Sequence, residues 1–142
     1  MRSLLDVSVL IALLDADHTS HRNALAWFGE HAASGWASCP ITQNGCVRIM
    51  SHPGYPNAHS VVDIVQRLRA ATEDRAHEFW PDNQSVLDDR VIDATRVHGP
   101  RQLTDVYLLA LAVNHKGRLV TFDASVGIGA VKGAKPQHLL RL

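Results

Sequence analysis

SLLDVSVLIALL, residues 3–14, begins with the short apolar run of a buried strand and continues as a buried helix, and its one ionisable side chain, Asp6, stands at the abrupt change between them. Ser8 reads as the N-cap of the helix that follows. A lone carboxylate among apolar neighbours either takes up a proton or is kept ionised by a cation, a set of donors or a catalytic use. GRLVTFDASVGI, residues 117–128, repeats the arrangement with Asp123.

Between these two stretches, strands and helices alternate. HTSHRNALAWFGEHAASG (18–35) places Ala24, Leu25, Phe28 and Ala32 on one helical face, with Gly35 as its stop, and WASCP (36–40) reads as a second strand. ITQNGCVRIMSH (41–52) reads as a helix despite Gly45, PGYPN (53–57) breaks it, and AHSVVDIVQRLRAAT (58–72) resumes helical spacing through Val61, Ile64, Val65 and Leu68. HEFWP (77–81) is a third strand, followed by a helical turn at SVLDD (85–89), a helix through RVIDATRV (90–97) and the loop HGPRQ (98–102). LTDVYLLALAVNHKG (103–117) is apolar nearly all round, hence interior, and is read as ending at Gly117. RLVTFD (118–123) and QHLLRL (137–142) supply a fourth and a fifth strand. This alternation implies an α/β class, with a mostly parallel sheet covered on both faces. No repeat or linker interrupts the 142 residues, which read as one domain.

Composition narrows the partners. Lys plus Arg and Asp plus Glu are both 14, so a polyanion would have to be met by a local basic patch rather than by net charge. The nine histidines are scattered and read as surface and loop residues. Cys39 and Cys46 have no CxxC partner and read as reduced thiols, and a zinc site with His52 and His59 matches no common spacing. With no secretory pattern and no run as long as a membrane span, the expected location is the cytoplasm.

In an open parallel sheet, functional groups gather at the carboxyl edge of the strands. Asp6 ends the first strand and Asp123 the fourth, and those strands are neighbours in the common strand orders. Asp105 joins them from the first turn of the interior helix that runs into the fourth strand. Singly, each reads as a helix cap. Three together repel one another unless a multivalent cation sits between them, and hard oxygen donors select Mg²⁺ or Mn²⁺. Asp88, Asp89 and Asp93 read as a solvated helix face with cap roles.

Four pieces in order, LLDVSVLIALLDADHTSHRNALAWF (4–28), CPITQNGCVRIMSHPGYP (39–56), RQLTDVYLLALA (101–112) and LVTFDASV (119–126), carry a resemblance that spans essentially the whole chain. It resembles the PIN-domain ribonucleases, and within them the VapC-type toxins of type II toxin–antitoxin pairs. The resemblance implies a single PIN domain over residues 1–142, a three-layer α/β/α sandwich of sheet order 3-2-1-4-5, and a Mg²⁺- or Mn²⁺-dependent endoribonuclease. It puts the family's catalytic and metal-binding acids on Asp6, Asp105 and Asp123, with Thr104 and Thr121 as flanking polar positions.

It further implies a VapB-type antitoxin that wraps the toxin and inserts a basic side chain among the acids, a homodimer, and a toxin–antitoxin hetero-oligomer. One position departs from the family pattern. Where PIN domains carry a Glu after the second strand, Gln43 stands at what reads as the equivalent place, and residues 31–62 contain no Asp or Glu. Gln43 is therefore expected as a weak ligand or a partner to a ligand. The alternative is a catalytically weakened module of the same fold that binds RNA or protein.

RNA approaching three carboxylates needs cations at the rim. Arg101, just ahead of Asp105, and Arg48, on the helix of Gln43, are the expected ones. Trp27 and Trp36 border apolar patterns and read as core, leaving Trp80 for stacking on bases. A haloacid-dehalogenase reading of Asp6 requires a second Asp two residues on, where this chain has Ser8.

Overall fold

In a computed structural model that describes residues 1–142, strands β1 (Ser3–Leu5), β2 (Trp36–Ser38), β3 (His77–Phe79), β4 (Arg118–Thr121) and β5 (Leu139–Arg141) form one sheet in the order β3-β2-β1-β4-β5. Every pairing is parallel, and β1 lies against β4 with Leu5 opposite Val120. Helices α1 (Val7–Leu14), α2 (His21–His31), α3 (Pro40–Met50), α4 (Val61–Thr72) and α5 (Leu103–Asn114) complete the α/β/α sandwich.

Alternation along the strands sorts the core into two layers. Leu4, Ala37 and Leu119 face α5, whereas Leu5, Trp36 and Val120 face α1, α3 and α4. All residues from Val106 to Ala112 are buried, because α5 is enclosed between the sheet and the two connections at residues 91–98 and 126–131. No helix is long and apolar enough to cross a membrane.

The structure corrects several sequence readings. The N-cap of α1 is Asp6 rather than Ser8: Asp6 has extended φ −61°, ψ 158°, and its side chain accepts the Val7 N–H. RVIDATRV forms no α-helix, only a 3₁₀ turn at Ala94–Arg96. Two interactions compete with the helix there: the Asp93 carboxylate caps the Thr95 N–H at 3.1 Å, and Ile92 pairs antiparallel with the distant Val131. SVLDD is likewise a non-helical turn, with Leu87 90% exposed. Trp80 is 1% exposed and stacked on His115, so it offers no face to a base. Leu25, expected on the apolar face of α2, is 52% exposed.

Lys116, not Gly117, takes the left-handed conformation that ends α5 (φ 56°). Gly117 answers to a close approach instead, since a Cβ there would lie 2.6 Å from the Arg2 carbonyl oxygen and 2.7 Å from the Trp80 ring. One obstacle is backbone and the other a fully buried ring, so neither yields easily. Gly117→Ala is expected to cost about 1–3 kcal/mol by overpacking, read as a lower urea midpoint at unchanged m-value.

Candidate functional site

The parallel pairing of β1 and β4 delivers Asp6 and Thr121 side by side at the carboxyl edge of the sheet. Asp6 is 9% exposed and its oxygens are held by donors: Oδ1 accepts the Val7 N–H at 2.7 Å, and Oδ2 accepts the Ser8 hydroxyl at 3.0 Å and the Thr121 hydroxyl at 2.7 Å. Thr121, fully buried, also accepts the Asp123 N–H at 3.1 Å, so one hydroxyl ties both strand ends together. Asp123 is exposed, and its Oδ1 accepts the Ser125 hydroxyl at 2.6 Å and the Ser125 N–H at 2.8 Å. Those bonds hold its carboxyl below the usual carboxylate range.

Asp105 is different. It stands half-buried in the first turn of α5 and receives no hydrogen bond, and its pKa is pushed up to about 6 by burial first, then by the charges of Asp6 and Asp123. A helix N-terminus ordinarily favours a carboxylate, so desolvation and repulsion outweigh the dipole here. Repulsion by both Asp6 and Asp123 puts the three acids within one another's field.

Their donor set is all hard oxygen, the chemistry of Mg²⁺ or Mn²⁺ rather than of zinc. Asp105 brings two carboxylate oxygens with no donor and Asp123 brings Oδ2. No three His, Cys, Asp or Glu side chains close into a ready-made metal cage, so the fit rests on donor chemistry and on the uncompensated charge at Asp105. Cys39 and Cys46 are both buried at 0% exposure and form no zinc cluster with His52 and His59.

The remaining expected residues scatter. The Gln43 amide donates to the Ser38 hydroxyl at 2.9 Å, the side chain lines the groove between α3 and α4, and no hydrogen bond joins it to an aspartate. The α3 residue packed against the start of α1 is Gly45, where a Cβ would lie 2.8 Å from Val7 Cγ2, so that contact carries no functional group. Thr104 is exposed and unbonded. Arg48 borders a shallow depression with His52 and Tyr55. Arg101 is exposed on the 3₁₀ turn before α5.

A cleft of about 330 Å³ does open beside Asp105, and its rim includes Arg96, His98, Gln102 and Ser125, none of them singled out from the sequence. Asp-x-Ser at 123–125 was a legible signal, because an Asx turn is local. Arg96 and His98 carried none, Arg96 because its segment has helical spacing and His98 because it opens the loop HGPRQ.

Comparison with known proteins agrees with this architecture. The profile of the PIN domain matches residues 3–127. The chain is 56% identical to Ribonuclease VapC44 of Mycobacterium tuberculosis over 142 residues, the full length of both. It is 40% identical to Ribonuclease VapC39 of the same organism over 134 residues, covering 94% of this chain and 96% of that one. With Ribonuclease VapC38, also from M. tuberculosis, it shares 41% identity over 125 residues, 87% of this chain and 86% of that one.

Proposed function

The chain belongs to the PIN-domain family, among its VapC ribonucleases, and from that premise we propose that it is the toxin of a type II toxin–antitoxin pair: a Mg²⁺- or Mn²⁺-dependent endoribonuclease that inhibits translation and growth. The observation that carries this reading is Asp105, a carboxyl without a donor, raised to about 6 between burial and two neighbouring acids. A structural cap would have no reason to keep that repulsion.

Asp6, Asp105 and Asp123 act as the metal-binding and catalytic acids. The cation, when bound, supplies positive charge to the phosphodiester and a more acidic water. Thr121 holds Asp6 and the Asp123 backbone in register, the Ser125 hydrogen bonds favour the ionised form of Asp123, and Asp105, raised to about 6 and without a donor, accepts a proton from the attacking water.

The partner is a VapB-type antitoxin, and the chain dimerises and joins it in a hetero-oligomer. Exposed Leu25, Val61 and Val62 on α2 and α4 support a covered surface there. The protein acts in the cytoplasm.

Purified protein incubated with total RNA is expected to release internal cleavage fragments with Mn²⁺ and none with chelator. Cleavage indifferent to chelation would overturn the metal role. The second reading, an RNA- or protein-binding module without turnover, is favoured by the lack of a ready-made cage and of any acid on α3. RNA retention without cleavage at any cation concentration would establish it.

A further inference from the structure

The cleft beside Asp105 is a built feature rather than a surface dent. Its two walls, residues 91–98 and 126–131, are zipped together: Ile92 bridges Val131, the Asp93 N–H donates to the Ala130 carbonyl at 2.8 Å, and the Lys132 N–H donates to the Val91 carbonyl at 2.9 Å. Arg141, on the last strand, pins the far wall by donating its Nε to the Val126 carbonyl at 3.1 Å. The floor is apolar, with Val106 and Val126 only 5% and 4% exposed.

An arginine and a histidine line its rim. Arg96 donates Nη1 to the Gly129 carbonyl at 3.3 Å across the mouth, and its other partner, Asp93, is 3.8 Å away in an exposed pair. Such a pair holds a guanidinium weakly, so most of its donors remain free for an incoming anion. His98 is set beside it by its own N–H, which donates to the Gln102 side-chain carbonyl at 2.9 Å. Arg101 and Arg48 do not line this cleft.

An apolar floor, a rim that carries the Arg96 guanidinium and the His98 imidazole, and a volume of about 330 Å³, at the small end of ligand pockets, suit one nucleotide. We propose that this cleft seats the nucleotide next to the scissile phosphate, its own phosphate gripped by Arg96 and His98, so that these two residues position the RNA strand against Asp105. The inference rests on the ribonuclease reading and adds to it the side from which the strand enters.

The test is steady-state cleavage of an RNA that the purified protein cuts, together with binding of fluorescein-labelled single-stranded RNA by the Asp105→Asn variant. Arg96→Ala is expected to raise KM about tenfold with kcat within about twofold, and Arg96→Lys to recover part of the loss. In the Asp105→Asn background, adding Arg96→Ala should weaken RNA binding by the same factor and lower the salt slope by about 0.7. His98→Ala should shift KM in the same direction. Arg75→Ala, an exposed cation ahead of β3 at the opposite edge of the sheet, should change nothing.

Wild-type cleavage with Arg96→Ala and His98→Ala cutting and binding as well as wild type would overturn the subsite and leave the nuclease standing. A fall in kcat at unchanged KM would also overturn it, since the residue would then not be holding the ground-state strand. If the wild type cuts no RNA, the nuclease reading fails by itself, and the binding arm still decides whether Arg96 grips RNA.

Discussion

Asp105→Asn is expected to abolish RNA cleavage and, in the same protein, to raise the thermal midpoint measured without divalent cations. The loss of activity should be about a thousandfold or more, because a neutral amide would remove both the proposed cation ligand and the proposed proton acceptor. The gain in stability follows from the sign of the pKa shift. Folding raises Asp105 from 3.8 to about 6, so the folded state binds its proton more tightly than the unfolded state does. That contribution is fully present below the unfolded value and is lost as pH rises through the folded one. Above neutrality the folded protein therefore carries a carboxylate it would rather not ionise.

Asparagine copies the protonated form and removes the penalty. The shift would correspond to about 3 kcal/mol for an enclosed group, and solvent screening of a half-exposed side chain reduces it to about 1 kcal/mol, or about 2–4 °C. Scanning fluorimetry in chelator at pH 7.5 should show this gap, and it should close near pH 4, where wild-type Asp105 is itself neutral. Added Mg²⁺ should reverse the order by stabilising the wild type through binding and leaving the variant nearly unmoved. A variant that melts lower than wild type at pH 7.5 without cation would mean that the repulsion is not there.

How much of this was readable in advance depended on how local each cause was. The α/β class was legible because strands and helices alternate along the chain, whereas the order 3-2-1-4-5 came with the family resemblance and not from the alternation. The same pattern brings Asp6 and Asp123 to one edge, since each ends a strand and the two strands pair. The place of Gln43 follows from helix geometry. Two residues turn about 200°, so Gly45 meets α1 while Gln43 meets Ser38.

Arg96 was illegible because the spacing in RVIDATRV is helical, and His98 because it opens a loop whose course no periodicity fixes. What defeats the helix is one local side-chain cap from Asp93 and one distant bridge to Val131. Trp80 stands in HEFWP behind His77, Glu78 and Phe79 and was read as available for stacking on bases. Its burial comes from His115 and Gly117, more than thirty positions away in the chain.

Thr121→Val is the second large effect expected, and it isolates what the buried hydroxyl contributes. Valine matches threonine in shape and favours a strand equally, so β4 and its packing should survive. Two hydrogen bonds do not: the Asp6 Oδ2 loses its shortest donor, at 2.7 Å, and the Asp123 N–H loses its acceptor. Because Thr121 is fully buried, water cannot easily replace it, and the cost should be about 2–4 kcal/mol, the larger share from the charged acceptor.

Cleavage should fall about ten- to a hundredfold through misplaced acids, with both losses largely recovered in Thr121→Ser, which restores the hydroxyl and drops only a methyl. The pair Thr121→Val and Asp6→Asn separates the two roles. If the hydroxyl works by holding the Asp6 carboxylate, the stability costs of the single changes will not add, and a coupling of about 1 kcal/mol or more will appear in the double variant. Additive costs would assign Thr121 to the Asp123 turn alone, and the two strand ends would then be aligned by their backbone bonds rather than by a shared hydroxyl.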